Sequence, residues 1–440
     1  LVVGNTMRNV TDKLKISREK LSYIVDSTAA PVTAIAFVTT WIGAELGYID
    51  SAIATIPEIK SGEGVYSIFV NSLQYAFYPV FALIFILILV LRNRDFGPMY
   101  KAEIRVRTTG QVSASKEETG SAGKGELESM EPVKNAKPKS LNAVLPVLVI
   151  IAGTLAGLFY TGTVSCREIL AASGILDANA SLGTVWSNLQ FLPKHPEFFF
   201  QKLGTIIGAS DSYSALLWSS LGGLILAIVL TVVRRIMSLS QTVDAAIKGF
   251  KTMLNAILIL VLAWSLALLS EQMHTADFLT GVMGDHISPW ALPALSFILA
   301  AIVSFSTGSS WGTMAILYPL VLPAAWKVCQ ISGYDFNTSM MIFYNVVSTV
   351  LAGSVLGDHC SPISDTTILS SLASSCNHID HVKTQLPYAA TVGGVALVFG
   401  TIPGAFGISP LILFPAGIVV MFLIIQLFGK RLSGATGGMM

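Results

Sequence analysis

Long apolar blocks alternate along this chain with short polar interruptions. Several blocks run to about 18 or more apolar or small residues, enough to cross a bilayer core about 30 Å thick. Spans are expected near 28–48, 67–91, 141–163, 211–233, 252–270, 290–306, 311–328, 338–357, 386–406 and 409–429. The pattern predicts an all-α fold: a polytopic integral membrane protein of about ten transmembrane helices, some broken or re-entrant.

Some polar runs interrupt the apolar frame where a span should continue. The most concentrated is GDHCSPISDTT, residues 357–367. Pro362 removes a backbone donor and clashes with the preceding turn, and Gly357 adds looseness, so both are expected to break the helix. On an unbroken helix Asp358 and Asp365 would stand about 10 Å apart along the axis; a break that restarts near Asp365 can bring them closer. A broken helix frees carbonyl oxygens, which are tolerated at membrane depth only where protein or a water-filled cavity satisfies them. Together with the carboxylates of Asp358 and Asp365 and the hydroxyls of Ser361, Ser364, Thr366 and Thr367, they form a hard-oxygen set suited to a small cation. Ionised carboxylates are expensive in a low dielectric, so each takes up a proton or pairs with a cation. If a proton and sodium compete for one carboxylate, obligatory exchange follows. The plainer reading is a surface loop with Asp365 capping the next helix, and a cap can coexist with a site. His359 titrates in the physiological range and is a candidate pH sensor, against the plainer reading of an interfacial histidine.

A second interruption is SFSTGSSWGTM, residues 304–314. Its Thr307, Ser309, Ser310 and Thr313 are secondary candidates on a re-entrant tip or unwound crossing; a small-residue packing surface is the alternative. A third is YIVDSTAAPVTA, residues 23–34, where Asp26, Ser27 and Thr28 mark either a cavity carboxylate with its neighbours or a helix cap. VVGNTMRNVTD at 2–12 also echoes VLGDHCSPISD at 355–365. That register sets Asn5 against Asp358 and Asp12 against Asp365, making both secondary candidates. Weak repeats of this kind mark two-fold transporter architectures. The expected organisation is 1–91 as the end of a first repeat with two spans, 92–140 as a disordered cytoplasmic loop rich in Ser, Gly, Glu and Lys, and 141–440 as a membrane transport domain holding the second repeat.

Composition narrows the class. The chain is 53% hydrophobic and 12% charged, about half the charge of a soluble domain. Net charge is +1, and no basic cluster has aromatic interleaving, so nucleic-acid binding has no support. The start, the 92–140 loop, the 234–251 loop and the C-terminus are basic and expected to be cytoplasmic. Four cysteines lack metal or CxxC spacing and read as packing residues. NHIDH at 377–381 looks like a metal cluster only superficially. No Ser/His/Asp set has recognisable spacing, so an intramembrane enzyme built on Ser361 or His359 with Asp365 is not favoured. Nor is a passive channel, since carboxylates beside a helix break suit coupled exchange better. The chain opens LVVGNTMRNVTDK, with no initiator Met and no signal-peptide pattern, and reads as beginning in mid-protein.

GDHCSPISDTT resembles the signature of the NhaC-type sodium/proton antiporter family. SREKLSYIVDSTAAPV, TGSSWGTMAILYP and ILVLAWSL are also similar to that family, and the likeness covers nearly all of the chain except 92–140 and roughly 164–200. The resemblance implies an inverted-repeat secondary antiporter of the bacterial inner (plasma) membrane, exchanging sodium for protons. It implies no cofactor. Its partners would be the lipid bilayer and the transported sodium and protons, with sodium at the Asp358–Thr367 break, and a homodimer stays open. Related members exchange organic anions such as malate for lactate, which is the alternative function. A substrate carboxylate would want a buried Arg or paired helix N-termini, and no Arg lies inside an expected span. The family pattern would place an aspartate-rich stretch and an Asn just before Leu1.

Overall fold

A computed structural model describes residues 2–36, 40–60, 63–114, 139, 141–192, 198–252, 265, 269, 272–273 and 288–432. In chain order, the elements that matter below are α1 (Val2–Lys13), α2 (Arg18–Ile35), α3 (Phe77–Arg92), β1 (Arg94–Asp95), α4 (Gly97–Thr109), α5 (Leu141–Ala172), α6 (Ser212–Val233), α7 (Leu292–Thr307), α8 (Ser310–Ile331), α9 (Phe336–Cys360), α10 (Asp365–Ala373), α11 (His378–Val395), α12 (Pro410–Phe428) and β2 (Lys430–Arg431). Among the described residues the fold is helical, apart from the small β1–β2 ribbon. Among the described residues, seven helices are long and apolar enough to cross a membrane, or eight if Val65–Tyr75 and Phe77–Arg92 count as one span. The span expected near 252–270 falls almost wholly outside the described residues.

The chain divides into two compact units. In the unit made of 37–71 and 126–259, α5 and α6 meet through small residues. A Cβ on Gly157 would lie 2.8 Å from that of Ala215, and Thr154 shares a 2.7 Å hydrogen bond with Ser219. Such surfaces let membrane helices approach closely where no hydrophobic force drives them together. Cys166, Leu170, Val185, Leu189 and Ile206 form a buried cluster in this unit.

The other unit, 1–36 with 72–125 and 260–440, holds all the sequence-predicted site residues. Its axis is α9, which runs unbroken through Gly357 to Cys360. Gly357 is therefore no helix break. A Cβ on Gly353 would collide with the Phe297 carbonyl, and one on Gly357 with the Ala301 carbonyl. The two glycines, one turn apart, let α7 lie against α9 at backbone distance. Gly353→Leu should therefore overpack this seam by about 1–3 kcal/mol or more and lower the yield of monodisperse protein in detergent. An unchanged yield would mean that the two helices can part without loss.

The break begins one residue before Pro362. Ser361 ends α9, Ser364 caps α10, and the helix restarts at Asp365. The cap is thus Ser364, whose Oγ accepts from the Thr367 N–H, and not Asp365. α7 and α8 are joined by Gly308 and Ser309, Gly308 taking the left-handed φ of +66° that ends α7. This tip lies against the break: a Cβ on Gly308 would be 2.7 Å from Ile363.

Two expectations need correction. The single span at 28–48 is not one helix, because α2 starts at the Ser17 cap and ends at Ile35. Ser17 Oγ accepts from Lys20 N, and Glu19 occupies the first turn, where an acid favours the helix dipole. The loop expected from residue 92 instead opens with β1 and α4. Met99, Ala102 and Val106 give α4 a buried apolar face, and Pro98 sits at its start. Residues 115–138, the Ser/Gly/Glu/Lys stretch, lie outside the described residues.

α4 and β1 hold the start of α2 with buried charge. Lys20 Nζ lies 2.6 Å from Asp95, which also accepts from Tyr388 at 2.7 Å. Glu103 accepts from both the backbone N–H and Oγ of Ser17, and Arg105 meets Glu19 with both oxygens at 2.9 Å.

The backbone turns that follow α1 and α10 are alike, in a register other than the expected 2–12 with 355–365. The turns after α1 and after α10 match residue for residue. Lys15 (φ 55°) corresponds to Ser375 (φ 49°), and the Ile16 N–H···Thr11 bond to that of Cys376 with Ser371. The Ser17 cap corresponds to the Asn377 cap. This register sets Asn5 opposite Asp365 and moves the sequence alignment by about two helical turns. α2 and α11 cross antiparallel, Tyr23 meeting Tyr388 and Asp26 meeting Gln385.

Candidate functional site

The break gathers its polar side chains inward. Ser364 Oγ donates to Asp358 Oδ1 at 2.8 Å, and Thr366 Oγ1 donates to Oδ2 at 2.9 Å. The two hydroxyls lie 2.9 Å apart. Asp358 is 2% exposed, and among the described residues it has no Lys, Arg or His partner. Ser361 is buried and holds the turn: its N–H bonds the Asp358 carbonyl, and its Oγ accepts from Ile363 N.

Asp365 is exposed and takes no part in this hydrogen-bond network. Successive residues on a helix point about 100° apart, so when Ser364 and Thr366 turn toward Asp358, the residue between them turns out. Among the described residues no hydrogen bond ties Asp365 to Asp358 or to its two hydroxyls. Asp26 of α2 comes in instead. Its Oδ2 accepts from Gln385 Nε2 at 2.7 Å and Thr367 Oγ1 at 3.2 Å, with His381 Nε2 at 3.3 Å. Its Oδ1 accepts from Ser370 at 3.3 Å. Thr367 Oγ1 also lies 3.4 Å from the Asp358 carbonyl, so one hydroxyl touches both halves of the site.

His359 is buried, with Nδ1 at 3.0 Å from Tyr78 OH and, among the described residues, no hydrogen-bond partner at Nε2. Gln385 ties this residue to Asp26, donating to the His359 carbonyl as well. His378 reaches back to the Pro362 carbonyl in the break and to Ser371.

The other candidates fall around this core or away from it. Ser27 is buried beside Asp26, whereas Thr28 is exposed and bonds its own helix at Ile24. Thr307, Ser309 and Thr313 bond within the α7–α8 hairpin, and Ser310 is buried there; the tip meets the break through backbone, not through these hydroxyls. Asp12 pairs with Arg18 at 3.1 Å, outside the site. The side chain of Asn5 is outside the described set.

Sequence reading missed Ser370, Gln385, His381 and Tyr78. NHIDH held the available signal. With α11 capped at Asn377, both of its histidines lie in the first turn of that helix, His378 reaching the break and His381 reaching Asp26. Among the described residues no group of His, Cys, Asp or Glu is placed to hold a metal as three or more ligands.

Fold and site together define a polytopic helical membrane protein with carboxylates buried at a helix break, the construction that secondary transporters use. The model of the Na+/H+ antiporter family matches residues 32–192 and 182–402, and the chain belongs to that family. It is 34% identical over 431 residues to an uncharacterised protein of Haemophilus influenzae, covering 98% of this chain and 72% of that protein. A shorter stretch of 118 residues is 32% identical to an uncharacterised Na+/H+ antiporter of the same organism, 26% of this chain and 23% of the relative. Over 161 residues it is 26% identical to the malate-2H+/Na+-lactate antiporter of Bacillus subtilis, 37% of this chain and 32% of that protein. No solved structure matches the chain.

Proposed function

We propose that this chain works in a secondary antiporter that exchanges sodium for protons, the two cations competing for the buried aspartates Asp358 and Asp26. One observation carries this reading: the buried Asp358 carboxylate is met only by hydroxyls among the described residues. A buried carboxylate without a cationic partner takes up a proton or a metal cation. Ser364 and Thr366 serve either state. They donate to the carboxylate as drawn, and each can turn a lone pair toward sodium when the ion arrives. Either cation neutralises Asp358, and both cannot sit on it at once, so one leaves as the other binds. Thr367 couples this event to Asp26.

The absence of a Lys or Arg partner at either carboxylate, among the described residues, favours an inorganic cation over an organic anion. Transport in a bacterial inner membrane belongs to the same reading, with the N-terminal segment, 92–140 and the C-terminus cytoplasmic. Arg92, Arg94, Lys430 and Arg431 gather at the ends of α3 and α12, which supports that orientation.

The test uses the full-length protein in vesicles loaded with a pH dye. An inward sodium gradient should drive protons out and raise the internal pH. No response to sodium sinks the proposal, and sodium-dependent exchange of malate for lactate would put the organic-anion reading in its place.

A further inference from the structure

A second polar group lies on α9, well away from Asp358. Asn345 and Ser348 are one turn apart on that helix and 0% and 1% exposed. Thirteen residues separate Asn345 from Asp358, about 20 Å along the helix. Asn345 Nδ2 donates to the Thr401 carbonyl at 3.4 Å. That bond sets the amide: with Nδ2 toward a carbonyl, Oδ1 points elsewhere, and a flipped amide would set oxygen against oxygen. Among the described residues Oδ1 has no hydrogen-bond partner, and neither has Ser348 Oγ.

The facing backbone is irregular. Residues Ala396–Thr401 form a π-helical turn, and the Ile402 N–H reaches back to Leu397. Pro403 explains it, because it offers no N–H to Phe399 and its ring would strike that carbonyl in an α-helix. Turns of this kind recur at functional sites. A buried acceptor oxygen left unmet is costly, and two of them one turn apart on one helix point to a shared partner. Asn345 Oδ1 can only accept, and the Ser348 oxygen has free lone pairs, so a cation suits the pair better than an anion.

We infer that Asn345 Oδ1 and Ser348 Oγ form a second, uncharged site for a small monovalent cation on the N-terminal half of α9. The inference rests on the sodium-exchange reading and gives it a waypoint distinct from Asp358. Without a carboxylate the site binds weakly and holds no proton, so it passes the metal ion and plays no part in the competition at Asp358.

The test pairs structure with kinetics on the full-length protein. Thallium(I), a heavy monovalent stand-in, should give anomalous density beside Asn345 and Ser348. Ser348→Ala should remove it and leave any thallium at Asp358 in place. In vesicles, Ser348→Ala should raise the half-saturating sodium concentration about 5–10-fold, the equivalent of one lost contact of about 1–1.4 kcal/mol. Asn345→Asp, which keeps the shape and adds charge, should lower it. If thallium is found at Asp358 alone, or Ser348→Ala is neutral for sodium and as stable as wild type, the second site does not exist although sodium exchange stands. A wild type that moves no protons with sodium removes the underlying reading instead, whatever the thallium positions.

Discussion

Asp358→Asn abolishes sodium-driven proton movement, while Asp365→Asn leaves it within about twofold of wild type, the range of an exposed surface substitution. The amide has the shape of the carboxylate and can still accept from one of the two hydroxyls, Ser364 or Thr366. It carries no negative charge and no exchangeable proton at neutral pH. A sodium ion about 3 Å from a carboxylate gains about 5 kcal/mol at an effective dielectric near 20. Hydration given up on binding offsets part of this. A remaining loss of about 2.8 kcal/mol already weakens the ion about 100-fold. Proton release from this position stops altogether, since the amide has nothing left to protonate. The measurement is the vesicle pH response to a sodium pulse, with protein amount and monodispersity matched between variants. A silent Asp365→Asn beside an active Asp358→Asn would reverse the assignment. Asp26→Asn belongs in the same series. It keeps the shape that Gln385, Thr367 and Ser370 surround and removes the second buried charge.

The contrast between those aspartates shows where reading the sequence stops working. Membrane spans were legible because apolar length is a local property, and α5, α6, α9 and α12 lie close to where the blocks place them. The break after Cys360 was legible because a proline acts on its own turn. Which side chains face the break was not. Ser364 takes the cap, and that choice alone rotates Asp365 outward and Thr366 inward. Asp26 could be marked as a carboxylate in an apolar run, but its partners come from α10 and α11, more than 340 positions away. No local pattern encodes such a meeting. The expected repeat illustrates the same limit: residue identity favoured Asn5 against Asp358, while the alike turns at Lys15 and Ser375 align Asn5 with Asp365. Gly357 was read as looseness at a break, yet its role is set by α7, a helix from another part of the chain.

Lys20→Met should destabilise the folded protein by about 3–5 kcal/mol, the usual loss when one member of a buried ion pair is removed. Asp95 is 0% exposed and would keep only the Tyr388 hydroxyl as a side-chain partner, with its charge uncompensated. The effect is expected to be far from additive. Replacing both residues, Lys20→Met with Asp95→Leu, removes two desolvated charges together, and such swaps are often neutral or stabilising. The double variant should therefore recover most of what the single one loses, leaving Tyr388 OH as the cost, about 1–3 kcal/mol for an unmet buried donor. A thermal-unfolding series on wild type, both single variants and the double variant in one detergent measures the coupling directly. Equal losses in the single and double variants would mean that Lys20 supports the start of α2 by packing its stem and not by its charge. The outcome bears on transport as well, because the same helix that this pair anchors at Lys20 delivers Asp26 two turns later. A loosened α2 should move Asp26 away from Gln385 and weaken exchange even though every residue at the site is intact. The double variant, with the anchor rebuilt from apolar groups, should restore both.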